Sequence, residues 1–188
     1  MPLSDPACPR RPIHTRSIRV ESYARDDGLW DIEAELVDTK SYDFPIRGGG
    51  MHPAGTPVHH MRLRITIDDA FTITASEAAY DAAPYGEFCA AIAPDYRHLV
   101  GLNLLKQFRK QVRERFSRTA GCTHLTELTN VLPTVAVQTM AGRRREQADN
   151  GEQPFQLDGC HALRLDGPVV QQHYSPWYVP AGTRSDEG

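Results

Sequence analysis

The chain has 188 residues, a formal net charge of −3, 40% hydrophobic residues and 24% charged ones. That length suits one domain with a full hydrophobic core. The near-balanced charge excludes a global pull towards nucleic acid or an anionic membrane, so any such preference must be local. No apolar run approaches the roughly 18 residues that cross a bilayer. The opening MPLSDPACPRRPIH lacks the apolar stretch of a secretory signal, which sets the expectation of a cytoplasmic protein. Four irregularly spaced cysteines are too few for a disulfide framework and leave metal binding, redox work or plain burial.

Residues 1–12 hold prolines and paired arginines without periodicity and read as a disordered leader. From Ile13 to Arg25 the pattern alternates, placing Ile18, Val20 and Ser22 on one face. Asp27-Gly28 then turns the chain into LWDIEAELV, where Trp30, Ile32, Ala34 and Leu36 alternate with acidic residues, a strong hairpin signal. Asp38 to Pro57, rich in glycine and proline and carrying a GGG run, reads as a long mobile loop. HMRLRITI follows, with Met61, Leu63, Ile65 and Ile67 inward, and Asp68-Asp69 turns into a return strand over Phe71 to Ala75. Two hairpins predict a four-stranded antiparallel sheet with one solvated face.

After Ser76 the alanines suit a helix but meet Pro84 and Gly86, which leaves one short helix around Gly86 to Ala93 and another turn over Pro94 to Val100. Leu102, Leu105, Phe108, Val112 and Phe116 fall at helical spacing beside a basic face of Lys106, Arg109, Lys110 and Arg113. A second long helix starts near Cys122, with Thr123 as N-cap and a kink at Pro133. Arg143 to Pro154 reads as a solvated connector, HYSPWYV as an aromatic tail docked on the sheet, and residues 181–188 as a frayed end. The expected fold is α+β, a single domain over 13–180 with two or three helices on one face of the sheet.

Chemistry concentrates in Cys and His. Cys122 and His124 sit at a helix start, Cys160 and His161 are adjacent, and Cys89 lies upstream. Zinc and iron-sulfur centres take three or four thiolate or imidazole ligands, often as close pairs, so Cys89, Cys122, His124, Cys160 and His161 form the expected metal set. Two helical residues two apart subtend about 200°, so Cys122 and His124 meet only if Cys122 precedes the helix. The plain alternative is that each cysteine is a small buried hydrophobe. A third reading makes Cys122 a nucleophile, with His124 or His161 as base, on an acyl or thioester substrate. The histidines His59 and His60 lie where neighbours point to opposite faces, so at most one joins a site. Lys106 and Arg109 could hold an anionic ligand, such as a coenzyme phosphate, or an acidic protein partner. No P-loop, dinucleotide fingerprint or nucleophile elbow is present, and neither zinc-finger spacing nor RNA-binding aromatics support sequence-specific nucleic-acid binding.

The pieces RSIRVESYARDDGLWDIEAELVDTKSYDF, HHMRLRITIDD, AAPYGEFCAAIAPDYRHLVGL, AGCTHLTEL and CHALRLDGPVV, spanning His14 to Tyr178, resemble an uncharacterised bacterial domain-of-unknown-function family. That resemblance implies no activity. The order of a short sheet, then FTITASEAAYDAAPYGEFCAAIAP, GLNLLKQFRKQVRERF and GCTHL is similar in outline to iron-sulfur scaffold and sulfur-acceptor proteins of the IscU, NifU and SufE kind. This second likeness implies soft-metal ligation, with Cys89 and Cys122 matching two scaffold cysteines and Cys160-His161 matching a C-terminal pair in reversed order. GCTHL lacks the glycine- and alanine-rich surroundings of those scaffolds.

Overall fold

The computed structural model describes residues 2–147 and 151–182, with only the helical backbone considered for 143–147. The chain forms two compact units, Met1–Thr139 and Met140–Gly188. In the first, β1 (His14–Ala24), β2 (Trp30–Lys40), β5 (Pro57–Ile67) and β6 (Ile73–Ala82) make one antiparallel sheet in the order β1-β2-β5-β6. The fold is α+β, and both expected hairpins are present. Gly28, at φ 85°, supplies the left-handed residue of the first turn. Asp68 builds the second by accepting the backbone N–H groups of Ala70 and Thr72 through Oδ1 at 2.9 and 2.8 Å.

The register follows the alternation. Ile32, Ala34 and Leu36 of β2 stand opposite Ile65, Leu63 and Met61 of β5, and all six are buried. The helical layer covers this face: α2 (Phe108–Phe116) contributes Phe108, Val112 and Phe116, and α3 (Thr123–Thr129) contributes Leu125 and Leu128. Helix α3 packs directly on β2 and β5, and the 3-10 segment Ala93–Leu99 packs on β6. The opposite face carries crossed ion pairs: Arg62 with Glu35 and Asp81 at 3.1 Å each, and Arg64 with Glu33 and Glu77. These exposed pairs each contribute about 1 kcal/mol or less and mark a solvated face.

Several boundaries differ from the expectation, each for a local reason. The loop over Asp38 to Pro57 is more ordered: β2 continues to Lys40, and β3 (Phe44–Pro45) pairs with β4 (Met51–His52) around the three glycines, all at φ near 95–100°. The return strand runs to Ala82, because Ala78 and Tyr80 stay in register with Leu63 and Met61 despite the alanine-rich composition. The helix read from Leu102 begins only at Phe108. Leu102 and Leu104 are buried from an extended segment that pairs with Phe71 and Ile73, whereas Leu105 is 45% exposed. A short α1 (Glu87–Ala90) occupies the expected place near Gly86. Cys122, not Thr123, is the N-cap of α3. Instead of one kinked helix there are two, since Pro133 falls in the first turn of α4 (Leu132–Gln147), where its missing N–H costs nothing. That helix also takes in the start of the expected connector at Arg143, while 148–150 lie outside the described residues.

Residues 2–13 lack regular secondary structure and are exposed, and of the expected frayed end only 181 and 182 are described. The second unit holds a 3-10 turn at His161–Leu163, α5 (Pro168–His173) and a further turn at Ser175–Trp177. Cys160 precedes the first turn and is exposed. Among the described residues no helix is long and apolar enough to cross a membrane.

Candidate functional site

The inward alternation of three strands ends in polar residues at the same level. In β1, Arg16 precedes Ile18 by two; in β2, Asp38 follows Leu36 by two; in β5, His59 precedes Met61 by two. The antiparallel register places Asp38 directly between Arg16 and His59, so the three side chains share one row on the core-facing side. His60, the next residue, points to the other face and bonds Glu35 at 2.7 Å.

Asp38 is 3% exposed and is the hub of the row. Arg16 donates through Nε to Oδ1 at 2.8 Å and through Nη2 to Oδ2 at 2.7 Å, a two-point grip. His14 Nε2 lies 3.0 Å from Oδ1, and His59 Nδ1 lies 3.0 Å from Oδ2. Burial by itself would raise the Asp38 pKa; the Arg16 hydrogen bond and charge, aided by His14, overcome it and hold the carboxyl at about 2.

Helix α3 brings the remaining member. His124 is the second residue of the helix, its ring stacks on His59 with centroids 3.8 Å apart, and its Nε2 lies 3.6 Å from Asp38 Oδ2. Its Nδ1 faces Cys122 Sγ at 3.9 Å. Since Cys122 is the extended N-cap, its thiol and the His124 ring do turn to one point, the geometry that required Cys122 to precede the helix. Burial lowers the pKa of both imidazoles. Asp38 opposes the fall at each ring, while Arg16 adds to it, as does His59 at His124. At neutral pH both rings are therefore uncharged, the state in which imidazole binds metal.

The backbone at Cys122 is fixed from below by Tyr96. The buried phenol accepts the Cys122 N–H at 3.1 Å, donates to its carbonyl at 2.9 Å, and meets the Thr126 hydroxyl at 2.8 Å. Its ring stacks on Phe116 at 4.5 Å. Gly121 makes the approach possible, because a Cβ there would stand 2.5 Å from the Phe116 carbonyl oxygen.

Beside the two histidines opens a cleft of about 540 Å³, bordered by Met61, Tyr85, Phe88, Cys89, Ile92 and Cys122 among others. Tyr80 belongs to the row below; its hydroxyl is buried without a partner at normal hydrogen-bond geometry, and burial, followed by the influence of Cys122, pushes its pKa up.

Among the described residues, Asp38, His59 and His124 are the group of His, Cys, Asp and Glu side chains whose ligand atoms all lie within 4.8 Å of one another. Of the residues expected from sequence, His124 is in this group, and Cys122 and Cys89 border the cleft beside it. Cys160 and His161 lie in the second unit. Lys106 and Arg109 are exposed at the start of α2 and do not line the cleft. The sequence alone does not single out Asp38, Arg16 or His14, and it offers His59 only as one of a pair.

A family model matches residues 14–138, the span that contains every member of this site. The chain belongs to the family described as protein of unknown function DUF2889. The match covers most of the first unit, and CHALRLDGPVV, in the second, lies beyond it. No curated protein and no solved structure matches the chain, so the likeness to iron-sulfur scaffolds finds no support there. In this DUF2889 chain the polar groups converge on Asp38.

Proposed function

We propose that the protein binds one divalent first-row metal ion through Asp38, His59 and His124 and acts from that centre on a small molecule. The observation that carries this is the convergence of one carboxylate and two imidazoles from β2, β5 and α3 within 4.8 Å. Burial that keeps both rings neutral, and an Asp38 that stays ionised, put all three ligands in their binding form at neutral pH. The Nδ1 contact of His124 with Cys122 supports Nε2 as its ligand atom, in the way outer-shell partners select a tautomer.

Two imidazoles and one carboxylate suit zinc or mononuclear iron and leave coordination positions for water or substrate. An iron-sulfur unit asks for clustered thiolates, and the convergent group contains none. Open positions favour chemistry on a bound molecule over storage of an ion. Elemental analysis of the purified full chain should find about one zinc or iron per chain, and neither in His59→Ala or His124→Ala. Equal metal content in all three proteins would remove the proposal.

A second reading is favoured by one contact chain. Cys122 Sγ to His124 Nδ1 at 3.9 Å, and His124 Nε2 to Asp38 at 3.6 Å, line up a thiol, an imidazole and a carboxylate. In that arrangement Cys122 attacks an acyl or thioester carbonyl carbon as His124 takes its proton and Asp38 orients the ring. The tetrahedral adduct then collapses by breaking the bond to the leaving alkoxide or thiolate, which takes the proton from His124 and leaves an acyl-Cys122 that water hydrolyses. Iodoacetamide would then label Cys122 faster than Cys8 or Cys160, both of which are exposed, and His124→Ala would abolish the difference. Equal rates in metal-free protein count against it.

A further inference from the structure

Among the described residues, no Asp, Glu, Lys or Arg lines the cleft beside His59 and His124. Its walls are Met61, Pro84, Ala91 and Ile92 with the aromatic rings of Tyr85 and Phe88, and its polar groups gather at the end formed by Thr119 to His124 and His59. Phe88 is 91% exposed and Tyr85 63% exposed, an unusual display for two large rings on neighbouring positions of one short segment. A volume of about 540 Å³ falls within the range of small-molecule sites, which are mostly apolar with a few placed polar groups.

We propose that this cleft takes an aromatic carboxylate: the ring lies against Met61, Tyr85 and Phe88, and the carboxylate reaches the His59–His124 end. The uncharged walls exclude a polyanion such as a nucleotide, while the ion held at the histidine end would compensate a single anionic oxygen. Aromatic and thioether side chains favour a flat ring over a linear chain, through edge and face contacts. This deepens the metal reading and rests on it, since the ion is the partner of the carboxylate.

The test uses the full chain loaded with cobalt(II), whose visible spectrum reports both binding of the ion and entry of a ligand to it. Benzoate and acetate share the carboxylate and differ in the ring. Benzoate is expected to perturb the cobalt spectrum at a concentration at least about tenfold lower than acetate, the gain from burying much of a phenyl ring. Phe88→Ser, a change at an exposed side chain, should bring benzoate towards acetate while leaving cobalt affinity unchanged. Cobalt binding with equal benzoate and acetate affinity overturns the cleft assignment and leaves the metal centre standing. If no cobalt binds, the metal reading fails. The carboxylate then has no ion to meet, and the cleft assignment is overturned with it.

Discussion

Asp38 and His59 stand directly opposite each other across β2 and β5, with Nδ1 and Oδ2 3.0 Å apart. Their position is set by strand register, so it is as rigid as the sheet. Two sheet residues provide two of the three proposed ligands; only His124 comes from another layer. Sites carried on regular elements hold geometry better than sites on loops, and the register holds Asp38 and His59 side by side.

Replacing Asp38 by Asn removes the charge that faces Arg16, His14 and His59. Arg16 is partly exposed and can turn to water, so the loss should fall near the low end for a broken buried pair, about 3 kcal/mol. Urea unfolding monitored by circular dichroism measures it. An unchanged midpoint would mean that Asp38 is not the hub of the row.

Acid should weaken the fold in two stages. The folded pKa values of His59 and His124 lie below the ordinary histidine value, so their contribution is complete above about pH 6.5 and is lost as pH falls towards the folded values. Asp38, held at about 2 against 3.8, contributes above its unfolded value and loses that contribution as pH falls through about 2. The second stage is worth about 2 kcal/mol. Stability measured from pH 8 to 2 should therefore begin to fall near pH 6.5 and fall again below about 3.8, and His59→Ala with His124→Ala should remove the first decline.

Gly121→Ala should cost about 1–3 kcal/mol, because the new methyl meets the Phe116 backbone. Gly142→Ala, in α4 with nothing within 4 Å, is the control and should be neutral or mildly stabilising. Thermal melts of the two variants compare them directly; equal melting points would refute the steric role of Gly121.

Tyr96→Phe keeps the stack on Phe116 but leaves the Cys122 N–H without its acceptor. A cost of about 1–3 kcal/mol is expected. Its readout beyond stability is metal affinity, which should fall as the Cys122–His124 segment loosens. Stability lost without any change in affinity would confine Tyr96 to the core.

The sheet was legible because Ile32, Ala34, Leu36 and Met61, Leu63, Ile65 repeat every second residue, and the Asp-containing turns mark its hairpins. The polar end of the same repeat was also present in the sequence. Arg16, Asp38 and His59 each keep the inward parity of their strand by one further step, two residues beyond the apolar alternation. The glycine-rich composition after Asp38 hid this by suggesting that the strand had already ended. Of the Cys and His residues that stand out by type, Cys89, Cys122, His124, Cys160 and His161, only His124 enters the convergent group, with Cys122 beside it. Tyr96 carried no sequence signal: its role comes from a hydroxyl meeting a helix start 26 positions later.

The most direct test is a calorimetric titration of zinc into the metal-free full chain and into its His124→Ala variant at neutral pH. A saturable isotherm at one ion per chain in the wild type, with affinity lost in the variant, is the predicted result. Matching isotherms, or no heat of binding to the wild type, would contradict a metal centre at Asp38, His59 and His124.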